Sequence, residues 1–147
     1  MDALLVAIAL WLSANFDLPP NAEPPRIEFV SPDAITSMRY RAFVGPLALG
    51  ATQRGASDVL SVYNDKTRTI YLRNGWVGKS PSELSILVHE IVHHLQNIGH
   101  YKFECPQQRE RLAYSAQDQW LQLFGRNLEQ DFELDEFSLF VKSACAY

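Results

Sequence analysis

The chain has 147 residues, 47% hydrophobic and 20% charged, with 7 Gly and 8 Pro; that suffices for one domain with its own core and excludes disordered, collagen-like and low-complexity classes. The 13 Lys+Arg against 17 Asp+Glu give a net charge of -4, and with no basic run to follow a phosphate backbone, nucleic acid is not expected as a partner. Three of the 4 histidines, His89, His93 and His94, fall within six positions.

From the N-terminus, the longest apolar run is Ala3 to Leu12, ten residues, too short to cross a bilayer as a helix, so no transmembrane segment is expected. Asp2 follows Met1 and no Lys or Arg precedes Arg26, which lacks the basic start of a signal peptide. The segment is therefore expected to be a helix of the fold, with Leu4, Leu5, Ile8 and Leu12 on one side. Asp17 to Pro25 holds four prolines and must run extended. Arg26 to Val30 reads as a strand, and Ser31-Pro32-Asp33 as an N-cap with Pro at the first helical position of a short helix to about Arg41. Gly45 to Ser57 reads as a loop. Asp58 to Tyr63 and Thr67 to Arg73, joined through Asn64-Asp65-Lys66, read as a hairpin closed by Asn74-Gly75.

Beyond it, helices are predicted over 81–98, 106–124 and about 131–143, without internal repeats. The expectation is an α+β fold in a single domain, 1–147: a small antiparallel sheet or hairpin packed on the 81–98 helix and further C-terminal helices. Trp11, Trp76 and Trp120, and Phe132, Phe137 and Phe140, read as core. Cys105 and Cys145 admit two readings. Bridged, they fit a periplasmic or secreted protein whose leader has been removed; as buried thiols, they fit the cytoplasm. A bridge would tie the last helix to the start of the 106–124 helix.

Ser80-Pro81-Ser82-Glu83 combines an N-cap, a Pro at the first helical position and a Glu placed for a capping box, and Gly99 stands where a stop belongs. Leu84, Leu87, Val88, Ile91, Val92, Leu95 and Ile98 share one face of this helix; His89 and His93 lie roughly opposite. His89-Glu90-Ile91-Val92-His93 is an HExxH sequence. Histidines at i and i+4 project two imidazoles to one tetrahedral zinc. Glu90, about 80–100° round the helix, misses the metal and reaches the attacking water as general base. The competing reading is a pair of surface histidines on an amphipathic helix.

A catalytic zinc takes a third protein ligand and keeps an open position. His94, His100, Glu104 and Glu110 follow in the chain. His94 points about 100° away from His93. His100 misses the HExxHxxGxxH frame, in which positions 96 and 99 would be Gly and His where this chain has Gln96 and Gly99. Glu110 is the better candidate. It forms a line with Tyr114, Gln117 and Leu121 on the flank of a stripe of Leu112, Ala113, Ala116, Trp120, Leu123 and Phe124, and the short turn from Gly99 to Cys105 lets this helix pack back on the first. The alternative for Glu110 is an exposed first-turn glutamate favoured by the helix dipole.

His89-Glu90-Ile91-Val92-His93 followed seventeen residues later by Glu110 on a separate helix resembles a zincin metallopeptidase of the gluzincin type, in a minimal single-domain form. The resemblance covers about residues 80–124 and the hairpin before them. It implies one Zn2+ per chain, a peptide or protein substrate, and a hairpin edge that binds substrate as an added strand. The larger downstream lobe that supplies an oxyanion-stabilising group in many gluzincins has no counterpart here, which leaves Tyr114 as the candidate for that catalytic role.

Two functions compete: a zinc-dependent peptidase with His89, His93 and Glu110 as ligands and Glu90 as base, and a catalytically weak or inactive zincin-scaffold module that holds a peptide or partner. A panel of peptides separates them, since the module binds zinc and peptide without cleavage. A closed structural zinc site is a third possibility, disfavoured because neither cysteine stands at ligand spacing. Substrate specificity and oligomeric state are not encoded in any motif.

Overall fold

The structure is a computed structural model that describes residues 1–20, 23–43 and 60–145, with two compact units, Pro25–Val77 and Met1–Pro24 with Gly78–Tyr147. The predicted Gly45 to Ser57 loop lies outside the described residues.

The Pro25–Val77 unit holds strands β1 (Arg26–Val30), β2 (Ser61–Asn64) and β3 (Thr69–Arg73) and helix α2 (Pro32–Phe43). The hairpin forms as its turn chemistry requires. Asn64 Oδ1 accepts from the Lys66 and Thr67 amides at 2.9 and 3.2 Å, Arg68 turns the chain at φ 53°, and β2 and β3 pair antiparallel with Tyr63 opposite Ile70. The sheet is mixed, however, and not the antiparallel one expected. Its order is β1-β3-β2, and β1 pairs parallel with β3, Ile27 opposite Ile70. Parallel partners cannot be joined by a tight turn, so the chain between β1 and the hairpin includes α2, which packs on β2 and β3; Ile35 of α2 and Val62, Ile70 and Leu72 of the strands are all buried. Ser31 Oγ caps α2 by accepting from the Ala34 amide at 3.2 Å. Phe29 and Trp76 form a tilted aromatic pair, centroids 6.3 Å apart.

The other unit is helical among its described residues: α1 (Asp2–Asn15), α3 (Pro81–Ile98), α4 (Glu110–Gln122), α5 (Leu128–Phe132) and α6 (Glu136–Ser143). Helix α1 buries Leu5, Ile8 and Leu12 and packs on α3, while Trp11 meets Trp120 edge to face at 5.3 Å. Helix α3 starts as its sequence dictates, with Pro81 at the first position and Ser80 Oγ accepting from the Glu83 amide at 3.1 Å. Glu83 reaches one residue further back than a capping box requires and accepts from the Lys79 amide at 2.9 Å. The stop is also read differently. Gly99 stays right-handed at φ -74°, and His100 takes the left-handed position at φ 57° while the Tyr101 amide donates to the Gln96 carbonyl at 3.0 Å.

The predicted 106–124 helix opens as a 3-10 turn, Pro106–Arg109, before α4 begins. Its core stripe is Ala113, Ala116 and Leu121, joined by Glu110 and Gln117; Leu123 and Phe124, expected inside, are 62% and 50% exposed. The predicted 131–143 helix is two helices, broken at Glu133 with φ 56°. Phe137 and Phe140 lie on the outside of α6, 73% and 64% exposed, a correction to their assignment as core. An apolar pattern says that a helix has an apolar side, not that a neighbour covers it. Cys105 and Cys145 are disulfide-bonded. No helix among the described residues is long and apolar enough to cross a membrane.

Candidate metal centre

The site is built where α3 packs along α4. Residues 87 to 96 of α3 are all buried, because helices cover it on more than one side. His89 and His93 are 6% and 3% exposed, which removes the surface-histidine alternative. Their i, i+4 spacing brings the rings edge to face, centroids 4.9 Å apart. From the first turn of α4, Glu110, 2% exposed, enters between them. Its Oε2 lies 2.8 Å from His89 Nε2 and 3.2 Å from His93 Nε2, and the two Nε2 atoms are 3.2 Å apart. One donor atom from each of the three residues thus falls within a 4.8 Å cluster.

This donor set fits a metal ion. Ligand atoms about 2.0–2.2 Å from a tetrahedral zinc stand roughly 3.3–3.6 Å from one another. The two 3.2 Å edges are close to that face, and only the 2.8 Å edge must lengthen. Electrostatics point the same way. Burial alone would raise the Glu110 pKa, but the neighbouring His93 and His89 outweigh it and hold the carboxyl well below its ordinary range. A buried anion of this kind needs compensating positive charge, from imidazolium or from a cation.

The other candidates fall elsewhere. Glu90 is 2% exposed on α3 and, one 100° helix step from His89, is not part of the three-atom cluster. Tyr114 lies against His89, ring centroids 4.7 Å apart and 67° between planes. His94 Nε2 donates to the Glu23 carbonyl at 2.6 Å, which fastens the proline-rich arm to α3. His100 caps the helix, and Glu104 is exposed with its amide donating to Gln108 Oε1 at 2.8 Å.

Sequence reasoning placed Gln117 in line with Glu110 without giving it a task, and used Gln96 only to reject another motif. Each meets one of the two histidine rings: Gln117 Oε1 lies 2.9 Å from His89 Nδ1, and Gln96 Oε1 3.1 Å from His93 Nδ1. A signal existed in the spacing. Gln96 follows His93 by three residues and Gln117 follows Glu110 by seven, both near repeats of the helical turn.

The profile of a family described as a domain of unknown function, DUF6647, matches residues 1–147. No curated protein and no solved structure matches the chain.

Proposed function

The chain belongs to the DUF6647 family, and for this member we propose zinc-dependent hydrolysis of peptide bonds, in a zincin-like fold of the gluzincin type. The observation that carries the reading is the convergence of His89 Nε2, His93 Nε2 and Glu110 Oε2 inside 4.8 Å on buried helices, with Glu90 next to the first ligand. Held by these three residues, one Zn2+ would supply Lewis acidity to a water and to the scissile carbonyl. Glu90 takes the proton of the attacking water on its carboxylate and returns it to the leaving amine. Burial on α3 limits the rotamers open to its side chain, which reduces the ordering left for reaction time. Tyr114, held against His89, is the candidate donor to the developing oxyanion. The Cys105–Cys145 bridge supports an oxidising compartment, periplasmic or extracellular.

The test is metal analysis joined to a digest of a mixed peptide library read by mass spectrometry. The wild type is expected to hold one zinc and cleave. Glu90→Gln is expected to keep zinc and lose cleavage by at least about 100-fold. His93→Ala is expected to lose the metal, and stoichiometric zinc in that variant would refute the ligand set. Zinc and peptide binding without cleavage by the wild type would replace the peptidase by the binding module.

A further inference from the structure

We infer that Gln117 is a positioning residue that fixes the ring and the tautomer of His89, and that zinc affinity depends on it; this rests on the metal reading above. A relay of hydrogen bonds sets every polarity. It begins at the Ser82 carbonyl, which can only accept, and Ser85 Oγ donates to it at 2.7 Å. With its proton committed there, the Ser85 oxygen accepts from Gln117 Nε2 at 3.2 Å. The amide nitrogen of Gln117 is thereby assigned, and its Oε1 faces His89 Nδ1 at 2.9 Å. An amide oxygen only accepts, so Nδ1 must carry a proton. A neutral imidazole protonated at Nδ1 presents its lone pair at Nε2, the atom 2.8 Å from Glu110 Oε2 and 3.2 Å from His93 Nε2.

One helix therefore flanks the His89 ring at both nitrogens: Gln117 accepts at Nδ1, and Glu110 Oε2, two turns earlier on α4, stands beside Nε2. Binding of a cation at Nε2 then needs neither a tautomer change nor a ring rotation. The arrangement at His93 differs. Gln96 Nε2 donates to the Arg109 carbonyl at 3.2 Å and turns Oε1 toward His93 Nδ1, but Arg109 Nε lies 3.3 Å from the same Nδ1 and competes as a donor. The relay at His89 runs from Ser82 through Ser85 and Gln117 to Nδ1 and is the place for the test.

Zinc affinity is to be measured by competition with a chromophoric chelator for the wild type, Gln117→Leu, which keeps the volume without the acceptor, and Gln117→Glu, which restores an acceptor at the same reach. Circular dichroism and thermal unfolding of the metal-free proteins report whether each variant folds. Gln117→Leu is expected to weaken zinc binding by about 10–100-fold, and Gln117→Glu to recover wild-type affinity or exceed it. A folded Gln117→Leu protein with affinity within about 2-fold of wild type would overturn the assignment while leaving the metal site standing. If Gln117→Leu does not fold, the Glu variant decides alone: a 10-fold loss of affinity there, despite the acceptor, would count against it. Absence of zinc binding by the wild type would overturn the metal reading and this one together.

Discussion

His100 ends α3 in a conformation that L-residues reach at a cost of about 1–2 kcal/mol, because the β-carbon crowds the backbone at φ 57°. His100→Gly is expected to raise stability by about 0.5–1 kcal/mol once the greater freedom of glycine in the unfolded chain is subtracted, read as a higher urea midpoint at unchanged slope. The neighbouring glycine answers to space and not to φ. A β-carbon at Gly99 would stand 2.6 Å from Tyr101 Cε1 and 3.0 Å from Pro19 Cγ. The Tyr101 hydroxyl donates to the Asp17 carbonyl, so the ring is held at both ends and cannot step aside freely. Gly99→Ala is accordingly expected to cost about 1–3 kcal/mol, with the loss checked by the same unfolding measurement. The sequence pattern marked Gly99 as the stop; in the fold His100 takes the left-handed turn, and the space over Gly99 is filled by Tyr101 and Pro19.

At the scale of elements, the start of α3 is fastened to the region after α4 through Asp131, which accepts from Ser82 Oγ at 2.6 Å and from Arg126 Nε and Nη2 at 2.7 and 2.8 Å. The Arg126 and Ser82 hydrogen bonds hold the Asp131 carboxyl below its ordinary value of 3.8. A carboxyl depressed in the fold stabilises fully above its unfolded value and loses that contribution as pH falls through the folded one. Asp131→Asn is therefore expected to melt below the wild type at neutral pH, with the gap closing as pH drops below 3.8, followed by thermal scans across that range. A second fastening is covalent. The Cys105–Cys145 bridge spans 40 residues and holds the turn that leads into Glu110 against the end of the chain. Closing a loop of that length is worth roughly 4 kcal/mol in the chain-entropy account, an upper figure for Cys145→Ser. The same change is expected to weaken zinc binding, because Glu110 sits one turn beyond the bridge; equal zinc affinity in oxidised and reduced protein would show that α4 holds its register by packing on α3 alone. That packing is extensive, and α6 shows the opposite case, a helix whose phenylalanines lie outside although their residue types read as core.

For the molecule as a whole, the His89, His93 and Glu110 cluster links two helices distant in sequence, and a metal ion that it holds in the folded chain and not in the unfolded one must stabilise the fold. Zinc at 100 times its dissociation constant is expected to add about 2.7 kcal/mol, seen as a rise in Tm that EDTA reverses and that Glu110→Gln removes. An unchanged Tm on addition of zinc in the wild type would show that the cluster holds none. The sequence by itself determined the capped α3 helix, the hairpin, the i, i+4 histidines and the flank of α4 that carries Glu110, because each follows from local periodicity and turn chemistry within a few residues. Tertiary structure decided the rest. The parallel entry of β1 into the sheet, the bridging of Cys105 to Cys145, the exposure of Phe137 and Phe140, and the use of Gln117 to hold His89 all turn on which surfaces meet across long separations. Periodicity names the side of an element that can be buried; only the packed chain shows what lies against it, and so whether a histidine lies on the surface or in a buried cluster that could hold a metal ion.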